Sequence, residues 1–181
     1  MNLYAKGSLL GTYVPSTPEK VAQADYIIGH EFASRLDPEQ LGSANEAIAR
    51  FIVEGYSDLP IVAAKRVATA IHLLKPRLEL AGVFKGPSSD TFASEGGTWG
   101  ELRQAVEIMG SKELDPIIVS QARHAPRIAK QAVKFGLDPI LPPSLPKDFD
   151  KESEQWWCKG SLRWAARELI GVPVLLRWNQ I

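Results

Sequence analysis

A single cysteine, Cys158, stands among 181 residues. That excludes an intramolecular disulfide and a Cys-rich zinc site, and it fits a reducing compartment. Excess charge is absent too: 21 basic and 21 acidic residues cancel, and no block of one sign could follow a phosphate backbone or an anionic lipid face. Nucleic-acid and membrane partners are therefore not expected. No apolar run approaches the ~18 residues of a membrane span, and the opening "MNLYAKGSLLGTYVPSTPEK" lacks the apolar core of a signal peptide. The expected location is the cytoplasm. Phosphate-loop and dinucleotide fingerprints, G-x-x-x-x-G-K and G-x-G-x-x-G, do not occur. Ser120 lacks the flanking glycines of a G-x-S-x-G nucleophile elbow, so a hydrolase triad is not supported.

What is present is a 45% hydrophobic chain of a size that buries roughly 70% of its unfolded surface in one domain. We read residues 1–181 as that domain, with 1–24 as an N-terminal extension and 172–181 as a tail. Short apolar runs alternate with helical patterns. "DYIIG" (25–29) reads as strand one, and "SANEAIARFIVEGY" as a helix opened by a Ser43–Glu46 capping box. "LPIVAA" (59–64) reads as a strand running into "KRVATAIHLL", although one continuous helix fits the same run. "LELAGVF" (78–84) is strand three, followed by the polar loop "KGPSSDTFASEGG". A second capping box, Thr98 with Glu101, opens a helix that stops at Gly110. "PIIVS" (116–120) is strand four; the next helix begins at Pro126 and ends at Gly136. "LDPILPP" (137–143) is a shorter fifth strand, and "SEQWWCKGSLRWAARELIG" (153–171) a last amphipathic helix. Strands separated by helices imply crossovers and an α/β, doubly wound three-layer sandwich with a mostly parallel sheet of about five strands. Ligands in such sheets sit beyond the carboxyl ends of the strands.

Three loops at that edge carry chemistry. In "QARHAPR", Pro126 suits a first helical position and pushes Ala125 toward an extended conformation. His124 then lies in the loop and Arg127 in the first helical turn, where an anion would meet an imidazole, a guanidinium and a positive helix end. A cation is disfavoured at a helix N-terminus, so Arg127 implies a negative partner. Arg123 is a weaker candidate. In "SSDTFASEGGT" the glycines Gly96 and Gly97 could form an anion nest, though glycine pairs also simply make turns. In "GHE", alternation points His30 and Glu31 opposite ways. A metal set of His30, Glu31, Asp90 and His124 lacks a ligand spacing that demands it, so no metal is expected. His72 reads as structural, and Trp156, Trp157 and Trp164 as core or an oligomer contact.

"DPIIVSQARHAPRIAKQAVKFGLDPILPP" resembles a segment of the YdcF-like family, the SanA and ElyC-like domain of unknown function. In that segment a buried strand leads into a loop with H-x-x-R and then into a helix ending in glycine. His124 and Arg127 occupy the H-x-x-R, and "SSDT" is similar to the family's Ser-x-x-Thr loop, which carries over Asp90 and Thr91. The resemblance spans about residues 25–172, with His124 to Gly136 its specific part. It departs after strands one and two, where "GHEFASR" and "AAKRV" replace glycine-rich turns. The resemblance implies a Rossmann-like fold and a site for a nucleotide-like or other anionic small molecule, and relatives commonly carry a membrane anchor in the bacterial envelope.

Three readings follow. In the first, the chain binds an anionic or nucleotide-like molecule at the sheet edge, with an S-adenosylmethionine type of cofactor compatible. Arg127 holds the anion, His124 donates to it or shuttles a proton, and Asp90 and Thr91 orient a ribose. In the second, a non-catalytic protein works, as a homo-oligomer for example, through its aromatic last helix. The third, a metal-dependent hydrolase, ranks below both. No residue fixes a substrate, or decides between an enzyme and a binding protein.

Overall fold

Runs with no polar residue to place in solvent become strands buried on both faces. The computed structural model describes residues 13–37, 39–85, 97–111 and 113–177. In chain order it contains helix α1 (Pro18–Val21), strand β1 (Tyr26–Gly29), α2 (Ser43–Tyr56), β2 (Ile61–Ala64) and α3 (Lys65–Leu74). Then follow β3 (Gly82–Phe84), α4 (Gly97–Met109), β4 (Pro116–Val119), α5 (Ala125–Lys134), a short 3-10 helix (Trp156–Lys159) and α6 (Ser161–Arg177). The run from residue 59 is thus a strand leading into a helix, not one helix. The four strands form an all-parallel sheet in the order β3-β2-β1-β4, with Ile27 opposite both Ile61 and Ile117. Right-handed crossovers put α2 and α3 on one face and α4 and α5 on the other, and each pair of helices packs together. The fold is α/β and consistent with a Rossmann-like sandwich.

The expected fifth strand is reduced to one parallel bridge, Ile117 to Ile140. Pro139, Pro142 and Pro143 lack the N–H groups that would extend a ladder on either side of Ile140. Residues 13–16 of the expected extension cover this edge instead: Ser16 N donates to Leu141 O at 2.7 Å, and the Tyr13 hydroxyl donates to Pro142 O. Strand three is also shorter than expected, because β2 begins at Ile61, whose O accepts from Ala81 N at 2.8 Å, and residues 78–80 fall before that pairing; at Gly82 helix α4 approaches so closely that a Cβ would lie 2.4 Å from Ile108 Cγ2.

Helix ends correct several expectations. Ser43 does not cap α2; Gly42 occupies the cap position, at φ 79°, and no side chain bonds there. At the same glycine an added Cβ would stand 2.2 Å from Asp150 Oδ2. Positive φ and this clash together predict that Gly42→Ala lowers stability by about 1–3 kcal/mol. A urea titration checks it, and a loss under about 0.5 kcal/mol would mean the loop relocates freely. Helix α5 begins at Ala125, one residue early, because Ala125 N donates to Gln121 O at 3.0 Å; the turn overrides the proline's bias against helical geometry before it. Its far end is as expected: Gly136 (φ 87°) follows the cap, and Leu137 N donates to Ala132 O at 3.2 Å in a Schellman closure. The last helix starts at Ser161, after the separate 3-10 helix, and runs through Pro173 to Arg177, so most of the expected tail is helical. No helix among the described residues is long and apolar enough to cross a membrane.

Candidate functional site

β1 and β4 are neighbours at the point where the strand order reverses, and their carboxyl ends mark the place where doubly wound sheets bind ligands. The loop after β1 is tied down on both sides. His30 N donates to Val119 O at 2.9 Å, extending the β1–β4 ladder by one residue. Ala33 has a left-handed φ of 81°, a conformation that costs about 1–3 kcal/mol unless its surroundings impose it. Asn45 of α2 supplies that constraint: its Oδ1 accepts from Phe32 N at 2.8 Å, and its Nδ2 donates to Ala33 O at 3.1 Å and Leu41 O at 2.8 Å.

His30 and Glu31 diverge as alternation expects. His30 Nδ1 meets Glu101 Oε2 of α4 at 2.7 Å, while Glu31 Oε1 accepts from Arg66 Nη1 of α3 at 3.3 Å. Thr98 and Glu101 therefore do not form a capping box. Both lie within α4, and Thr98 Oγ1 meets His124 Nε2 at 3.1 Å. Sequence reasoning missed Glu101 and Arg66. One signal was available: Glu101 falls one helical turn before Ala105, on the buried stripe that Leu102, Ala105 and Met109 define.

His124 lies under α6. Arg127 Nη2 donates to His124 Nε2 at 2.8 Å. A guanidinium can only donate, so Nε2 is the unprotonated nitrogen, and Nδ1 carries the hydrogen that faces Ser120 Oγ at 3.3 Å. The negative partner expected for Arg127 is Glu168, whose Oε1 lies 3.1 Å from Arg127 Nη1 and 2.7 Å from Arg167 Nη1. Trp164 sits between: the Arg127 and Arg167 guanidinium carbons lie 5.4 and 5.8 Å from its ring centre, and the His124 ring lies 5.2 Å away.

Burial dominates the electrostatics. It pushes the Glu101 carboxyl up to about 8 against the pull of the Arg127 charge. It does the same to Glu31, to about 8, helped by Glu101 and opposed by Arg66. The His30 imidazole is pushed down to about 3, and His124 well below its ordinary range by burial and then by the Arg127 charge. Arg127 itself falls to about 10 through burial and the neighbouring Arg167. His30 Nε2, Glu101 Oε1, Arg127 Nε and Arg66 Nε are buried without a hydrogen-bond partner among the described residues.

Linkage gives the pH dependence its sign. Glu101 ionises at 4.5 when unfolded and at about 8 when folded, so between those values the folded state holds a proton the unfolded state has lost, and stability falls as pH rises. His30 acts oppositely between about 3 and 6.5. Melting temperature should therefore be highest between about pH 4.5 and 6.5, and fall above that. Glu101 accounts for about 2 kcal/mol of loss by pH 8, or about 4–8 °C. Melts at several pH values check this. Glu101→Gln should roughly halve the decline, because Glu31, also raised to about 8, acts in the same sense, and a wild-type melting temperature that rises above pH 6.5 contradicts the assignment.

Of the other expected residues, Arg123 is exposed, its backbone N donating to Gln121 Oε1 at 2.7 Å. Gly97, at φ 62°, opens α4 with nothing within 4 Å of where a Cβ would stand. Asp90, Thr91 and Gly96 lie outside the described residues. His72 is exposed in the last turn of α3, not part of the interior. Among the described residues no three His, Cys, Asp or Glu side chains gather as a metal site. An open groove of about 510 Å³ lies elsewhere, between α2 and residues 144–148. No protein-family model, curated protein or solved structure matches the chain.

Proposed function

We propose that this chain binds an anionic, nucleotide-like small molecule in the crevice between the carboxyl ends of β1 and β4. One observation carries the reading. His30, Glu31, Glu101, His124 and Arg127 are all buried at the switch point, where ionisable groups weaken a core and several polar atoms have no hydrogen-bond partner among the described residues. Such clusters are a mark of functional sites. Arg127, held by Glu168, supplies the positive charge with the helix starts at Gly97 and Ala125, and His124 orients its guanidinium. Arg66 adds a second guanidinium. The H-x-x-R likeness to the YdcF-like family supports the same placement and adds Asp90 and Thr91 as ribose-orienting residues. Arg123 sits at the rim, and a cofactor of the S-adenosylmethionine type belongs to the same ligand class.

Thermal-shift measurements against nucleotides, S-adenosyl compounds, sugar phosphates and divalent metals test this. A saturable rise is expected with an anionic organic ligand, worth about 2.7 kcal/mol at a hundredfold excess over Kd. It should shrink in Arg127→Lys and Arg66→Ala. A rise with metals alone, or none with any compound, would sink the reading.

A second reading rests on α6, where Leu162, Leu169 and Ile170 are 86%, 66% and 70% exposed. They form an apolar side suited to a second copy of the chain. Sedimentation over a range of concentrations decides it, with Leu169→Glu expected to abolish any dimer.

A further inference from the structure

We propose that His30 and Glu101 form a proton-relay pair at the centre of this crevice, His30 Nε2 exchanging a proton with a hydroxyl group of the bound organic anion and Glu101 positioning the ring. The inference rests on the anion-site reading and narrows its ligand to a hydroxyl-bearing anion such as a sugar phosphate or nucleotide.

The argument is geometric. Of the two buried imidazoles, His124 has its Nε2 engaged by Arg127. His30 has Nδ1 engaged by Glu101 at 2.7 Å and Nε2 without a partner. A carboxyl group on one ring nitrogen fixes the tautomer and leaves the other nitrogen to work on a substrate, which is the logic of an oriented base. The ring is held from three sides: by Glu101, by the ladder bond from its own backbone to Val119, and by Phe84, whose ring centre lies 5.5 Å away. Nothing in core packing calls for Glu101. Residues 0% and 3% exposed would be served as well by an apolar pair, because a buried polar pair rarely adds net stability over a hydrophobic one.

The exchange balances within the pair. With Glu101 ionised, Nδ1–H donates to Oε2 and Nε2 accepts. A ligand O–H bond breaks, its oxygen keeping the electron pair, and an Nε2–H bond forms. The Nδ1 proton then passes to Oε2, so the imidazole ends neutral and Glu101 ends as the acid. The reverse sequence returns the proton. Among the described residues the charged and titratable groups around the pair are Glu31 from its own loop, Arg66 from α3, His124 and Arg127 from the β4–α5 side, and beyond them Cys158 of the 3-10 helix and Glu168 and Arg167 of α6.

The experiment is long-range proton–nitrogen NMR on the full chain labelled with [15N]histidine, which has three histidines to assign. Burial sets the Glu101 carboxyl at about 8. Across that pH the protonated and unprotonated nitrogens of His30 should interchange, from Nε2–H on the acid side to Nδ1–H on the basic side. In Glu101→Gln the tautomer should stay fixed. Ribose 5-phosphate should displace the Nε2 resonance, and inorganic phosphate should not. One unchanging tautomer in the wild type overturns the pair even if the variant fails to fold, and so does the same interchange in Glu101→Gln. An interchanging pair whose Nε2 ignores ribose 5-phosphate while that compound raises the melting temperature overturns the contact with the ligand. If no anion raises the melting temperature, the anion-site reading fails instead, and the tautomer still decides whether the pair exists.

Discussion

Glu168→Ala is expected to lower stability by about 3–5 kcal/mol, the cost of leaving a buried charge without its partner. Glu168 is the carboxylate between two guanidiniums, 3.1 Å from Arg127 and 2.7 Å from Arg167, and both cations lean on Trp164. Removing it leaves two like charges over one ring. The larger share belongs to Arg127, which is buried; Arg167 is 27% exposed in its side chain and solvent screens its contribution. A urea titration should show the midpoint fall by roughly 1–3 M at a slope of a few kcal/mol per M. Arg167→Ala in the same chain should restore part of the loss, since it removes the repulsion, and a double-mutant cycle measures that coupling. A Glu168→Ala chain within about 1 kcal/mol of wild type would mean that Glu168 is not the group that balances Arg127.

Trp164→Ala should cost a similar amount, about 3–5 kcal/mol, for a different reason: it removes a buried indole packed on Phe32 and His124. Trp164 is buried, 5.0 Å from the Phe32 ring and 5.2 Å from the His124 ring. Its loss exposes the hydrogen bond between Arg127 and His124 to water. Trp164→Phe should keep roughly half of the stability at risk, because it retains ring contact but little of the cation contact. Trp164 is thus interior, whereas Trp156, in the 3-10 helix before α6, is partly exposed and Leu162, Leu169 and Ile170 of α6 face outward. Thermal melts with sedimentation velocity check both points: melting temperature should fall while sedimentation stays unchanged. A changed association state with an unchanged melting temperature would reverse that assignment.

The sheet was legible because parallel strands buried on both faces read as unbroken apolar runs: "YIIG", "IVAA" and "PIIV" are β1, β2 and β4. "LDPILPP" misleads because its apolar residues alternate with prolines, which occupy a sheet edge but cannot build it. The two S/T-x-x-E patterns misled for another reason. A glutamate three residues after a hydroxyl reads the same whether it turns back to the helix backbone or reaches a histidine 71 residues away, and local spacing carries no information about that choice. His30 and Glu31 stand out in the sequence because they directly follow β1, and His124 and Arg127 because they fall in the turn after β4 and the first turn of α5. Their partners Glu101, Arg66 and Glu168 sit inside helices, where a charged residue ordinarily faces solvent. Even so, Trp164 and Glu168 are four residues apart on α6 and share one face, a pairing that marks a helix side turned inward.

Asn45 makes three bonds from one side chain, to Phe32, Ala33 and Leu41, and so fuses the loop after β1 to the first turn of α2. That loop and that helix must move as one body. On the other side of the proposed anion site, α4 and α6 contribute through side chains: Glu101, Thr98, Trp164 and Glu168. One side of the proposed site is tied to its helix by three bonds and the other reaches it side chain by side chain, so under the anion-site proposal variants of Asn45 should change where a ligand sits, and variants on α4 and α6 how fast it comes and goes.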